Sequence, residues 1–209
     1  TCQTCHMPQG RSRERDKPAR RIAINALRRP PDQIHTHAFE GRELAAGVIR
    51  LDLEAGRRDD SLVVTTRLEV RDVGHRVPTG SADKHLLLVV TATGLDGPLV
   101  LREGMRLPDH AEFGDSPGRE FAQVLADAEG NTHVPFWRAV RLVEDTRLVP
   151  GQPVEVRHVF RASERGAMRV RVELIHRLRF KRHDVAGDVT GPGARPLDEM
   201  IRASEVEVK

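Results

Sequence analysis

From Leu44 onward the chain breaks into short β-branched and aliphatic runs separated by Gly, Pro and Asp turns, and this punctuation limits it to an antiparallel β architecture. Residues alternate in Val154-Glu155-Val156-Arg157-His158-Val159 and in Met168-Arg169-Val170-Arg171-Val172-Glu173-Leu174, so charged side chains point outward and aliphatic ones into a core. The spacing predicts strands over Ala46–Leu53, Ser61–Val73, Leu86–Thr93, Leu99–Arg102, Arg119–Ala126, Arg138–Leu142, Pro153–Phe160, Arg169–Arg177 and Ser204–Val208. Leu86–Val90 is apolar without interruption and is expected at the centre of a sheet. Turn signals at Leu95-Asp96-Gly97-Pro98, Asp127-Ala128-Glu129-Gly130-Asn131 and Val149-Pro150-Gly151 suit a sandwich, and the Gly- and Pro-rich stretch 184–195 reads as a long loop. The expected class is mainly β, an Ig-like antiparallel β-sandwich over residues 44–209.

Residues 1–43 differ. They are polar and loop-rich, with one brief helical pattern over Arg21–Leu27, and they have too little apolar surface to fold alone. Their opening, Cys2-Gln3-Thr4-Cys5-His6, has the Cys-x-x-Cys-His spacing of covalent haem c attachment. Two thiols three positions apart reach the two vinyl groups of one porphyrin, and the adjacent histidine supplies the iron with a proximal nitrogen. A buried porphyrin would also supply the missing apolar surface. Other readings exist for the same residues. A structural zinc site needs four ligands, and these are the only two cysteines in the chain. A thioredoxin-like pair needs a preceding strand, and a plain disulfide needs only the two thiols.

Ten histidines exceed what a core of this kind needs, and a second axial ligand to iron would account for some of them. His35 and His37, in Ile34-His35-Thr36-His37-Ala38-Phe39-Glu40-Gly41, are close enough in sequence to fold back over the haem, or else are exposed loop residues. His75 lies in Val73-Gly74-His75-Arg76-Val77-Pro78-Thr79-Gly80, a sharply shaped loop that can aim an imidazole or simply hydrogen-bond it to backbone. Met7 is too near His6 to reach the opposite face of the ring, and Met105, Met168 and Met200 have no distinguishing context. His85, His110, His133, His158, His176 and His183 read as surface or satisfied core residues.

Charge excludes some partners. Basic residues cluster over Arg11–Arg29 and again over Arg165–Arg182, where they can pair with haem propionates, steer an acidic redox partner or form a solvated surface. With six Phe, one Trp and no Tyr, no aromatic stacking platform interleaves them, so nucleic acid is not expected. No run of about eighteen apolar residues occurs, so no membrane-spanning helix is expected.

The residues Thr4-Cys5-His6-Met7-Pro8, followed by His37-Ala38-Phe39-Glu40-Gly41, resemble the last haem-binding segment of multihaem c-type cytochromes. The loop Gly74-His75-Arg76-Val77-Pro78-Thr79-Gly80 is similar to the Gly-His-x-x-Pro-Thr-Gly element of the β-sandwich that follows the haem region in some of these proteins, and Phe136-Trp137 and 145–151 fit the same module. The resemblance implies electron transport by bis-histidine low-spin haems in periplasmic or extracellular complexes or filaments. It implies His6 as proximal and His37 as distal ligand, with His37 or His75 able to serve a neighbouring haem instead. Since this chain has one motif rather than several, the resemblance also implies that other haem-bearing chains or redox proteins, in a homo- or hetero-oligomer, supply the adjoining haems.

Covalent haem attachment occurs outside the cytoplasm in bacteria, so a periplasmic or extracellular location is expected. A motif this close to the first residue raises the expectation of a longer cytochrome with further haems upstream. No paired carboxylates or nucleophile constellation stands out, and an electron carrier is expected rather than an enzyme. The rivals are a haem enzyme acting on a small nitrogen or sulfur species, and a structural subunit stapled by its haem.

Overall fold

The computed structural model describes residues 46–108, 113–162, 166–178 and 198–209. The chain divides into two compact units, Thr1–Gly47 and Val48–Lys209, and the second contains every strand described below. One sheet has the order β1 (Ile49–Arg58), β2 (Ser61–Val70), β9 (Val154–Arg161), β5 (Leu101–Glu103). A second runs β11 (Asp198–Val208), β10 (Met168–Arg177), β3 (His85–Gly94), with β4 (Gly97–Pro98) and β6 (Gly118–Phe121) both paired to β3. A small sheet joins β7 (Gln123–Ala126) to β8 (Arg141–Asp145). All pairs are antiparallel. The fold is the expected β-sandwich.

Alternation builds the core. Leu62, Val64, Thr66, Leu68 and Val70 of β2 are buried, as are Met168, Val170, Val172 and Leu174 of β10, while the residues between them are wholly or partly exposed. His85–Val90 is buried at every position, because β3 has a covered face on each side. Leu87 and Val89, with Ile175 of β10, pack against Leu107 and Phe113 of the segment that leads into β6. That packing explains the uninterrupted apolar run. Beside it Arg177, fully buried, grips Asp198 with Nε at 2.5 Å and Nη2 at 2.6 Å and lies over the Phe113 ring. Arg202 of β11 donates from Nε to the carbonyl of Ile49 in β1 at 3.1 Å, so a hydrogen bond ties one sheet to the other.

Two glycines permit close approaches. Gly118 lies so near the Leu88 carbonyl that a methyl group there would overlap it. Gly104, at φ 127°, would set a Cβ 2.7 Å from the His158 ring.

Several predicted strands differ in extent. The expected strand Arg119–Ala126 is two strands in two sheets, and Ala122 is the point of transfer. Its N–H goes to Thr146 Oγ1 at 2.9 Å and its carbonyl accepts from Thr146 N at 3.0 Å, so pairing with β3 stops there. The run expected over Arg138–Leu142 is paired instead over Arg141–Asp145, because residues 135–139 turn through two local backbone hydrogen bonds. The last strand is longer than Ser204–Val208. It starts at Asp198, and a bulge at Leu174/Ile175 lets its first residues stay in register with β10.

Candidate functional site

Cys2, Cys5, His6, His35 and His37, and also His110 and His183, lie outside the described residues. Of the expected ligands, the structure therefore describes His75. Its loop, residues 71–84, joins β2 to β3 and includes Asp72 at φ 60°, a cis Val77–Pro78 bond and Gly80 at φ 97°. Asp72 shows that a left-handed turn can be made without glycine, since a short polar side chain tolerates it.

A brace from distant sequence fixes the loop. Val77 and Leu148, both buried, exchange N–H···O bonds of 2.9 Å in each direction. Next to that bridge, Asp145 accepts Nε and Nη2 of Arg147, each at 2.8 Å, and Arg76 Nη1 at 3.2 Å. The Arg147 fork, more than the charge of Arg76, holds the Asp145 carboxyl below the usual carboxylate range. Thr146 ties the same strip to Ala122. His75 thus has a tethered neighbour on its C-terminal side, with Arg76 and Val77 both engaged.

His75 is exposed, and its Nδ1–H donates to the Arg76 carbonyl at 3.0 Å. That bond puts a proton on Nδ1, and a backbone carbonyl behind one ring nitrogen is a common way of orienting a metal-binding histidine. The donor chemistry fits an axial ligand to iron. Among the described residues no group of three or more His, Cys, Asp or Glu converges to hold a metal ion. A porphyrin iron asks less of the chain, because the macrocycle provides four of its ligands and the chain one or two.

The remaining described histidines serve structure. His85 is fully buried and donates from Nδ1 to the Asp83 carbonyl at 2.8 Å. His158, also fully buried, donates from Nε2 to the Met105 carbonyl at 3.0 Å, and burial lowers its pKa. Burial likewise lowers His176, with the positive charge of Lys84 adding to the effect. His133 donates from Nε2 to Glu120 at 2.8 Å, a partly buried pair that only the fold brings together. Met168 is fully buried in the core, whereas Met105 and Met200 are exposed. Residues 145–151 stood out only through their resemblance to the module that also contains the His75 loop, and nothing in the sequence paired Asp145 and Arg147 with that loop.

No protein-family model matches the chain, and no curated protein sequence does. Among solved structures it is similar to a penta-heme cytochrome c552 from Thermochromatium tepidum, with a TM-score of 0.67 at 23% identity. The match covers 99% of this chain and 47% of that one, so the chain spans about half the length of the structure it matches. No helix among the described residues is long and apolar enough to cross a membrane. The likeness is one of fold: the backbone is similar to about half of a multihaem cytochrome c.

Proposed function

We propose that the chain is an electron-transfer module that holds one c-type haem covalently through Cys2 and Cys5, with His6 as proximal ligand. The observation that carries this reading is the Cys-x-x-Cys-His spacing in a chain whose fold is similar to part of a penta-heme cytochrome c552. When bound, the haem supplies a one-electron iron couple whose potential is set by the axial pair, burial and nearby charge. The chain's own task is to keep both axial positions filled, so that little geometry changes as the electron arrives and leaves.

His37, His35 and His75 are the candidates for the distal position, on this haem or on a neighbouring one. His75 is supported by its braced loop and by the Arg76 carbonyl that orients its ring through Nδ1. The basic run Arg11–Arg29 would pair with propionates or with an acidic partner. Its working context is a multihaem assembly in the periplasm or outside the cell, with other haem-bearing chains or redox proteins as partners. The chain is not an enzyme in this reading.

Optical spectra of the oxidised and reduced chain, with a pyridine haemochrome count, test the proposal. One c-type haem per chain with a low-spin spectrum unaffected by carbon monoxide is the expected result. Carbon monoxide binding would move the reading to small-molecule chemistry at an open iron, and absence of covalent haem would overturn it.

A further inference from the structure

Asp96-Gly97 is the one place in the sequence where glycine follows an aspartate or asparagine. It forms the turn between β3 and β4, where Leu95 and Asp96 link Gly94 to its ladder partner Gly97. Asp96 is exposed, and no hydrogen bond or ion pair among the described residues engages its carboxyl group. Gly97 stands at φ 112°, with open space where a side chain would be.

Such a pair has a reaction of its own. The glycine nitrogen attacks the side-chain carbon of the aspartate in its neutral acid form. A nitrogen–carbon bond forms, the hydroxyl leaves with the amide proton as water, and a five-membered succinimide closes. Water then opens the ring at either carbonyl. Opening at the former main-chain carbonyl frees an α-carboxylate and routes the backbone through the side chain, which gives isoaspartate with no net gain or loss of atoms. A side chain on the following residue would obstruct the attack, and a partner on the carboxyl group would hold it away.

Other turn residues carry both obstacles. Asn131 is gripped through Nδ2 by the two oxygens of Asp127, at 3.2 and 3.0 Å, and precedes the β-branched Thr132. Asp60 accepts Arg102 Nη2 at 2.7 Å and the Ser61 hydroxyl at 3.1 Å. Little, by contrast, holds the Asp96 hairpin shut. β4 is two residues long, and Pro98 has no N–H to give to the ladder. The next bond inward runs from Leu99 N–H to the Ala92 carbonyl at 2.8 Å. The turn therefore opens without disturbing the core.

We infer that Asp96 is a modification site, which converts spontaneously to isoaspartate in the folded protein and so becomes a substrate for an isoaspartyl-directed carboxyl methyltransferase. The product lengthens the backbone of a two-residue loop by one methylene, which puts Gly94 and Gly97 out of register. The change falls where the chain leaves the sheet of β3 for the sheet of β5.

Ageing the chain as purified for several weeks at neutral pH, beside a sample unfolded in urea, tests this whatever its haem content. Tryptic peptide 85–102 should split into two forms of equal mass and different retention, the new one accepting a methyl group from S-adenosylmethionine and the purified methyltransferase. Because the hairpin opens locally at little cost, the folded rate should lie within about tenfold of the unfolded one. Asp96→Glu keeps the charge but does not close a five-membered ring, and the second form should be absent from it; Asp96→Ser serves as a second control. A single, unmethylated peptide 85–102 in the aged folded chain overturns the inference. So does a folded rate slower than that limit, a second form that persists in both variants, or equal conversion at Asp60 or Asn131 in the folded chain.

Discussion

At the scale of single residues, one carboxylate reinforces the Val77–Leu148 bridge that holds the His75 loop. Asp145 takes both arms of Arg147 and one of Arg76, and all three lie beside the Val77–Leu148 bridge. Asp145→Asn keeps the shape but removes the charge, and should cost about 1.5–3 kcal/mol in urea unfolding at neutral pH. Because the folded carboxyl titrates below its ordinary 3.8, the contribution is complete above that value and fades as pH falls through the lower folded one. Histidine gives a second window. His158 and His176 are both depressed from 6.5, so the unfolded chain binds protons before the folded one does. Stability is therefore full above pH 6.5 and declines as pH drops from there toward the folded values. Unfolding free energies that stay level from pH 8 to pH 5 would contradict this. The glycines and prolines of the His75 loop were legible in the sequence as a shaped turn. The residues that hold it were not, because nothing local marks Asp145 and Arg147 as its partners.

At the scale of elements, period-two alternation was enough to find the strands that form the two buried faces, and β2, β3, β9 and β10 lie close to where the pattern put them. Alternation fails where a strand changes partner. Residues 119–126 read as one strand because both halves have the right period, yet the side chain of Thr146 captures Ala122 and sends the chain into a second sheet. It fails also at Asp198–Ala203, where β-branched residues are few and pairing to β10 imposes the extended form. Gly118 is the most exacting position at this scale. A methyl group on it meets the Leu88 carbonyl, which belongs to the strand it must pair with. Gly118→Ala should separate the start of β6 from β3 and lower stability by about 1–3 kcal/mol, read as a fall in the thermal midpoint. A neutral result would mean that β6 approaches β3 less closely than described.

At the scale of the molecule, Val48–Lys209 has a core of its own, built from alternating positions of two sheets and a smaller cluster under the segment that leads into β6. That much followed from the sequence, since short strands with regular turns leave few architectures. The use of the outer face of β3 did not follow, because the residues that cover it, Leu107 and Phe113, sit in a stretch without strand periodicity. A strand shielded on both faces and paired along both edges has no route to water short of opening the sheet. Its amides therefore report on the whole fold rather than on local breathing. In deuterium exchange followed by mass spectrometry, peptides spanning Leu86–Val90 should be the last to gain mass, at a rate that tracks global unfolding as denaturant is added. Peptides from β8, exposed and paired on one edge among the described strands, should fill well before those of β3. The amides of β3 then serve as an internal clock for this unit, timing each complete unfolding while β8 exchanges ahead of them.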